Sequence, residues 1–175
     1  TYAAMGVYTI TATGTDTLSG QKTVQTLKVT VKDTIRSGVA RLRLDFKGGK
    51  DDVQVTGALP LPVTTTLAGD VIVDIGGFQK TFTVNEKGDG RDGKNAFKIF
   101  KKRKGEGILT AQSRFFVKLF DQDLKPALVD EGLIDKNADR ESKSVRVVIT
   151  VQGIPYDATL TVIYIAQQGK RGFTR

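Results

Sequence analysis

The chain writes one strand–turn–strand pattern twice. Val71-Ile72-Val73-Asp74-Ile75-Gly76-Gly77-Phe78 runs on into Lys80-Thr81-Phe82-Thr83-Val84. Val147-Val148-Ile149-Thr150-Val151-Gln152-Gly153-Ile154 runs on into Ala158-Thr159-Leu160-Thr161-Val162. In both, apolar residues recur at every second position, the period of a strand with one face on a core. Glycine marks each turn, and the second turn reads as two residues longer. A hairpin repeated inside one chain predicts a β-architecture built by duplication.

What the chain lacks narrows its chemistry. It has no Cys and no His. Disulfide scaffolds, thiol nucleophiles and Cys-ligated metals are therefore excluded. So are Ser-His-Asp hydrolysis and His-ligated zinc chemistry within this chain. Trp is absent, and a stacking platform would rest on four Tyr and nine Phe. Carboxylates at Asp45, Asp74, Glu86 and Asp157 lie on or near expected strands, and nothing marks any two as a catalytic pair. No cofactor is expected, and the chain reads as a non-enzyme. No apolar run approaches the roughly 20 residues of a membrane-spanning helix.

Near the start, Tyr8, Ile10 and Ala12 alternate with Thr9, Thr11 and Thr13. A polar turn follows at residues 14–20, and then Leu27, Val29 and Val31 alternate with Thr26, Lys28 and Thr30. This predicts a hairpin with its apolar face on a core. The run from Val7 to Asp16, the Ser/Gly turn and the run from Thr23 to Lys32 resemble the last two strands of PKD-type and other immunoglobulin-like repeats. Such repeats occur in large secreted bacterial surface proteins. The resemblance implies that the rest of this sandwich lies upstream or comes from another chain.

The expected organisation is thus a terminal hairpin of an incomplete Ig/PKD-like sandwich over 1–33, a linker over 34–38, and a duplicated β-sandwich over 39–175. The halves of the last run from about 39 to 104 and from about 107 to 175. Leu59-Pro60-Leu61-Pro62 reads as an edge or crossover, because proline lacks a ladder donor. Lys87 to Asn95 reads as a glycine-rich turn. One short helix is expected over Asp123 to Leu133, capped by Asp123, with Pro126 in its first turn and Gly132 as its stop. It is expected to plug one end of the sandwich. The predicted class is all-β: an Ig-like β-sandwich with an internally duplicated hairpin and one short helix.

Three polar features are candidate sites. Asp89, Asp92 and Asn95 have some look of a calcium loop, but Arg91 and Lys94 lie among them, and a plain hairpin turn fits better. The densest positive run is Lys98, Lys101, Lys102, Arg103 and Lys104. Its bland reading is a solvated strand end. Its functional reading is contact with an anionic partner such as an acidic polysaccharide, nucleic acid fitting less well without accessible aromatics. Residues 121–141 are biased the other way, with Asp121, Asp123, Asp130, Glu131, Asp135, Asp139 and Glu141 against three basic residues. Such stripes could meet head to tail between copies, although solvation of both is the simpler reading.

The expected function is a structural subunit of an extracellular or cell-surface assembly, such as a filament, sheath, surface layer or stalk, self-associating by complementation of β-edges. The alternative is a surface adhesin for acidic polysaccharide. A third reading is a non-catalytic accessory domain of a secreted enzyme.

Overall fold

Alternating apolar residues become strands along almost the whole chain. A computed structural model describes residues 6–31, 33–61, 65–100 and 113–175. The strands are β1 (Gly6–Thr15), β2 (Lys22–Val31), β3 (Asp33–Thr34), β4 (Arg36–Asp45), β5 (Asp51–Leu59), β6 (Gly69–Ile75) and β7 (Phe78–Val84). They continue with β8 (Asp89–Asp92), β9 (Asn95–Ile99), β10 (Ser113–Gln122), β11 (Ala138–Val151), β12 (Ile154–Gln167) and β13 (Arg171–Thr174). A single helix, α1 (Lys125–Leu128), lies between β10 and β11. The protein is all-β with one short helix. None of its described helices is long and apolar enough to cross a membrane.

Strands β1 and β2 form a two-stranded sheet of their own. All others belong to one eleven-stranded sheet, and that sheet closes on itself. Its order is β11-β6-β7-β8-β9-β10-β5-β4-β13-β12, with β11 also paired to β12 and β3 added in parallel at the edge of β12. Between its two short strands the ring has two runs of four strands, called layers below. One layer is β7-β6-β11-β12, and the other is β9-β10-β5-β4. The four-residue strands β8 and β13 bridge the two side seams. Alternate residues of both layers meet in one core, including Val73, Ile75, Phe82, Ile149, Tyr156 and Tyr164 from one and Leu42, Leu44, Val55, Phe97, Phe115 and Val117 from the other.

The two copies of the repeated hairpin are neighbours. Val73 faces Ile149 at the centre of the β6–β11 ladder, flanked by Val71 opposite Val151 and Ile75 opposite Val147. Matching positions of the two copies are therefore related by a local two-fold between Val73 and Ile149. The whole ring follows it: strands β4 to β8 map in order onto β9 to β13, with every pairing preserved. The second axial ladder is β5–β10, where Val55 faces Val117.

Both hairpin turns have two residues, Gly76-Gly77 and Gln152-Gly153, so the longer second turn expected from sequence is corrected. All four residues have positive φ, between 50° and 96°. This is the twist that matches a right-handed ribbon, and it explains why glycine recurs there. Residues 154–157, which read as loop, join the ladder as the start of β12.

The ends of the sandwich are closed by equivalent connections. Leu124, Leu128 and Leu133 are buried around α1, and Leu128 packs against the Gly76 turn. At the Gln152 turn, the Gln152 side chain donates to the Thr66 carbonyl, beside the buried Leu67. The helix is shorter than expected: it ends at Leu128, and Gly132, at φ 72°, lies in the turn that follows rather than at its stop. Its cap is a correction: α1 is one turn long, has no local side-chain cap, and the Leu124 N–H donates instead to the carboxylate of Asp51. Segment 34–38, expected as a linker, carries the end of β3, the buried Ile35 and the first residues of β4. The supposed turn at Lys87 to Asn95 contains β8.

Candidate interaction surfaces

The β1–β2 ribbon is a regular antiparallel ladder from Gly6 opposite Val31 to Thr15 opposite Lys22. Its turn is well made. Asp16 Oδ1 accepts the N–H groups of Leu18 at 2.7 Å and Ser19 at 3.0 Å. Hydrogen bonds from Ser19 and then Leu18 hold the Asp16 carboxyl below its ordinary value. Ile10 and Leu27 face each other and are 41% and 61% exposed. Val24 and Leu18 are exposed as well. The covered apolar face expected from the alternation is thus open among the described residues. No other described strand pairs with either edge.

Asp89, Asp92 and Asn95 lie along the β8–β9 hairpin, and each side chain is engaged separately. Asp89 pairs with Lys98 at 2.7 Å, and Asp92 pairs with Lys80. Asn95 Oδ1 accepts the Phe120 N–H at 2.9 Å. No group of three potential metal-ligating side chains occurs among the described residues. Of the basic run, Lys98 stands on β9 with its ammonium 5.6 Å from the Phe100 ring centre. Lys101, Lys102, Arg103 and Lys104 lie outside the described residues.

Much of the acidic stripe is matched within one copy. Asp121 pairs with Lys94 at 3.3 Å. Glu141 pairs with Lys136 at 2.7 Å and Lys143 at 2.9 Å, and these two partners hold its carboxyl below its ordinary value. Asp45, at the β4–β5 turn, accepts from the Lys47 and Gly48 N–H groups, which lower its pKa.

Two buried polar groups are structural joints that the sequence did not single out. Asp51 is fully buried. Its carboxylate accepts the Asp45 N–H at 2.8 Å and the Leu124 N–H at 2.9 Å, with Lys125 Nζ at 3.8 Å. It ties the β4–β5 turn to the start of α1. Tyr164 donates its hydroxyl to the Ile134 carbonyl at 2.7 Å. Burial, then the charges of Asp135 and Glu141, push its pKa up to about 12.

No protein-family model matches the chain, and neither a curated protein nor a solved structure does.

Proposed function

We propose that this chain is a structural module of an extracellular assembly, joined to neighbouring copies through the β1–β2 ribbon. The observation that carries this reading is the contrast in edges. The large sheet closes on itself, whereas the ribbon has two ten-residue strands with both outer edges unpaired among the described residues. Unpaired N–H and C=O rows are templates for another strand. Exposed Ile10 and Leu27, on one face, supply apolar area that strand addition would cover in the same step. The ribbon's resemblance to the closing strands of immunoglobulin-like repeats supports the same reading, because such strands normally have a sandwich around them. The absence of Cys and His removes the commonest alternatives in catalysis.

The experiment compares the full chain with a chain lacking residues 1–32 by sedimentation velocity and negative-stain microscopy. The reading expects concentration-dependent oligomers or polymers from the full chain and monomers from the shortened one. A monomeric full chain, or equal assembly by both, overturns it.

A further inference from the structure

The arginines of this protein are distributed unlike its lysines. Every ion pair among the described residues is made by a lysine: Lys80, Lys94, Lys98, Lys125, Lys136 or Lys143. No described arginine makes one. Apart from Arg140 and Arg146 on β11, all described arginines lie on or immediately after β4, β8, β10 and β13. One layer with its seam strands therefore carries most of the arginines, none of them in an ion pair among the described residues, although Arg43 lies opposite Asp52 and helps to lower the pKa of Asp45. The other layer presents Thr81, Thr83, Ser144, Thr159 and Thr161 among charges of both signs, with Arg140 and Arg146 as its arginines.

Strand register places these cations in a row. Arg41 is opposite Gln54, Gln54 opposite Lys118, Lys118 opposite Ala96, and Ala96 opposite Arg91. Cross-strand partners share a face, so Arg41, Lys118 and Arg91 stand on every second strand, roughly 10 Å apart at ordinary strand spacing. Arg43 lies two residues along β4 from Arg41, opposite Phe173 of β13 on one side and Asp52 of β5 on the other. A cleft of about 240 Å³ opens between Arg41, Arg43 and Lys118, and a wider one of about 500 Å³ lies beside Arg114 and Phe100.

Three phenylalanines on this layer bear on the choice among anionic partners, while a further outward ring, Phe116, lines the wider cleft. Lys118 Nζ sits 4.3 Å from the Phe120 ring centre, and the Arg175 guanidinium sits 5.6 Å from that of Phe173. Lys98 stands over Phe100 in the same way. These rings hold the chain's own cations. They are not left open as platforms on which bases or neutral sugar rings stack. The surface reads charge. Its unpaired guanidinium forks match carboxylate and sulfate oxygens two at a time.

We infer that the outward face of β8, β9, β10, β5, β4 and β13 is a binding surface for a linear acidic polysaccharide, its carboxylate or sulfate groups seated along the Arg41–Lys118–Arg91 row. This surface is independent of the β1–β2 ribbon, and it extends well beyond the basic run noted in the sequence.

The test titrates the full chain with polygalacturonate, dextran and a single-stranded oligonucleotide by calorimetry at two salt concentrations. Polygalacturonate binds, more weakly at high salt, and dextran does not. The double variant Arg41→Glu/Lys118→Glu, checked for an unchanged melting transition, weakens binding by about tenfold or more. Arg146→Glu, on the other layer, leaves it within about twofold. Arg41→Lys keeps the charge and loses the fork, and it weakens binding severalfold. Equal binding of dextran, tighter binding of the oligonucleotide, or equal loss in Arg146→Glu overturns the inference. So does no loss in the double variant. Deletion of residues 1–32 leaves the affinity unchanged, which separates failure here from failure of the ribbon reading.

Discussion

The ribbon and the ring are written in the same alphabet and reach opposite ends. Ile10 and Leu27 recur at alternate positions on β1 and β2 just as Leu42 and Leu44 do on β4. Leu42 is 2% exposed and Leu27 is 61% exposed. The difference lies in what covers the strand. In the ring each long strand has neighbours on its edges and a second layer over its apolar face. In the ribbon there is one ladder and no second layer among the described residues. Alternation identifies the residues able to share a face; whether that face is buried is decided by what other strands bring to it. A lone hairpin is marginal in water, whereas a closed two-layer ring buries enough apolar surface to hold one register.

The sharpest way to break the ring is through Asp51. Asp51→Ala leaves the buried Leu124 N–H and the half-buried Asp45 N–H without their acceptor and takes away one of the two carboxylates beside Lys125. The expected loss is about 3–5 kcal/mol in urea unfolding, the range for removing one member of a buried charged network. Asp51→Asn keeps one carbonyl acceptor and loses less. A cost below about 1 kcal/mol for Asp51→Ala would mean that α1 and the β4–β5 turn are held by packing alone.

Gly57 is the next test. A Cβ there would lie 2.8 Å from Phe115 Cε1 and 2.9 Å from Ile35 Cγ2. Phe115 is the cross-strand partner of Gly57, so its ring occupies the space a side chain would need. Gly57→Ala is expected to cost about 1–3 kcal/mol by overpacking. An unchanged unfolding midpoint would show that the β5–β10 ladder can shift to make room.

Tyr164 probes the same ring more gently. Tyr164→Phe removes the bond to the Ile134 carbonyl and keeps the ring's volume, for an expected loss of about 1 kcal/mol. Its pKa is raised from 10.0 to about 12 on folding, so its contribution is complete below pH 10 and is lost as pH rises toward 12. The stability difference between wild type and Tyr164→Phe should narrow across that window. A constant difference from pH 9 to 12 would place the alkaline loss elsewhere.

These positions also show where sequence reasoning runs out. The inward sets Leu42/Leu44, Val53/Val55, Phe97/Ile99 and Phe115/Val117/Leu119 were legible, because period 2 is imposed by the pleat. So was the duplicated hairpin. The β6–β11 ladder was not, because backbone edges carry no residue-specific label. Strands β8 and β13 were missed as well. At four residues each, with Gly90 and Gly172 inside them, they read as turn and tail. Asp51 capping a helix 73 residues away has no local signature. The arginine layer is half visible: Arg41 and Arg43 alternate with Leu42 and Leu44 in the sequence, but the row through Lys118 to Arg91 exists only once register is known.

The ribbon itself should respond least in stability. Ile10→Asp/Leu27→Asp places two charges on a face that no described residue covers. The urea transition of the ring should stay within about 0.5 kcal/mol of wild type, as for exposed sites away from any packed feature. Amide exchange sharpens the contrast. The β6 and β11 amides should exchange only through opening of the ring, while those of β1 and β2 should exchange far faster in dilute monomer. At concentrations where copies assemble, the ribbon amides should become protected in wild type and stay fast in the double variant. Protection in dilute monomer would mean that the ribbon is already covered within one chain, and its edges would no longer explain assembly.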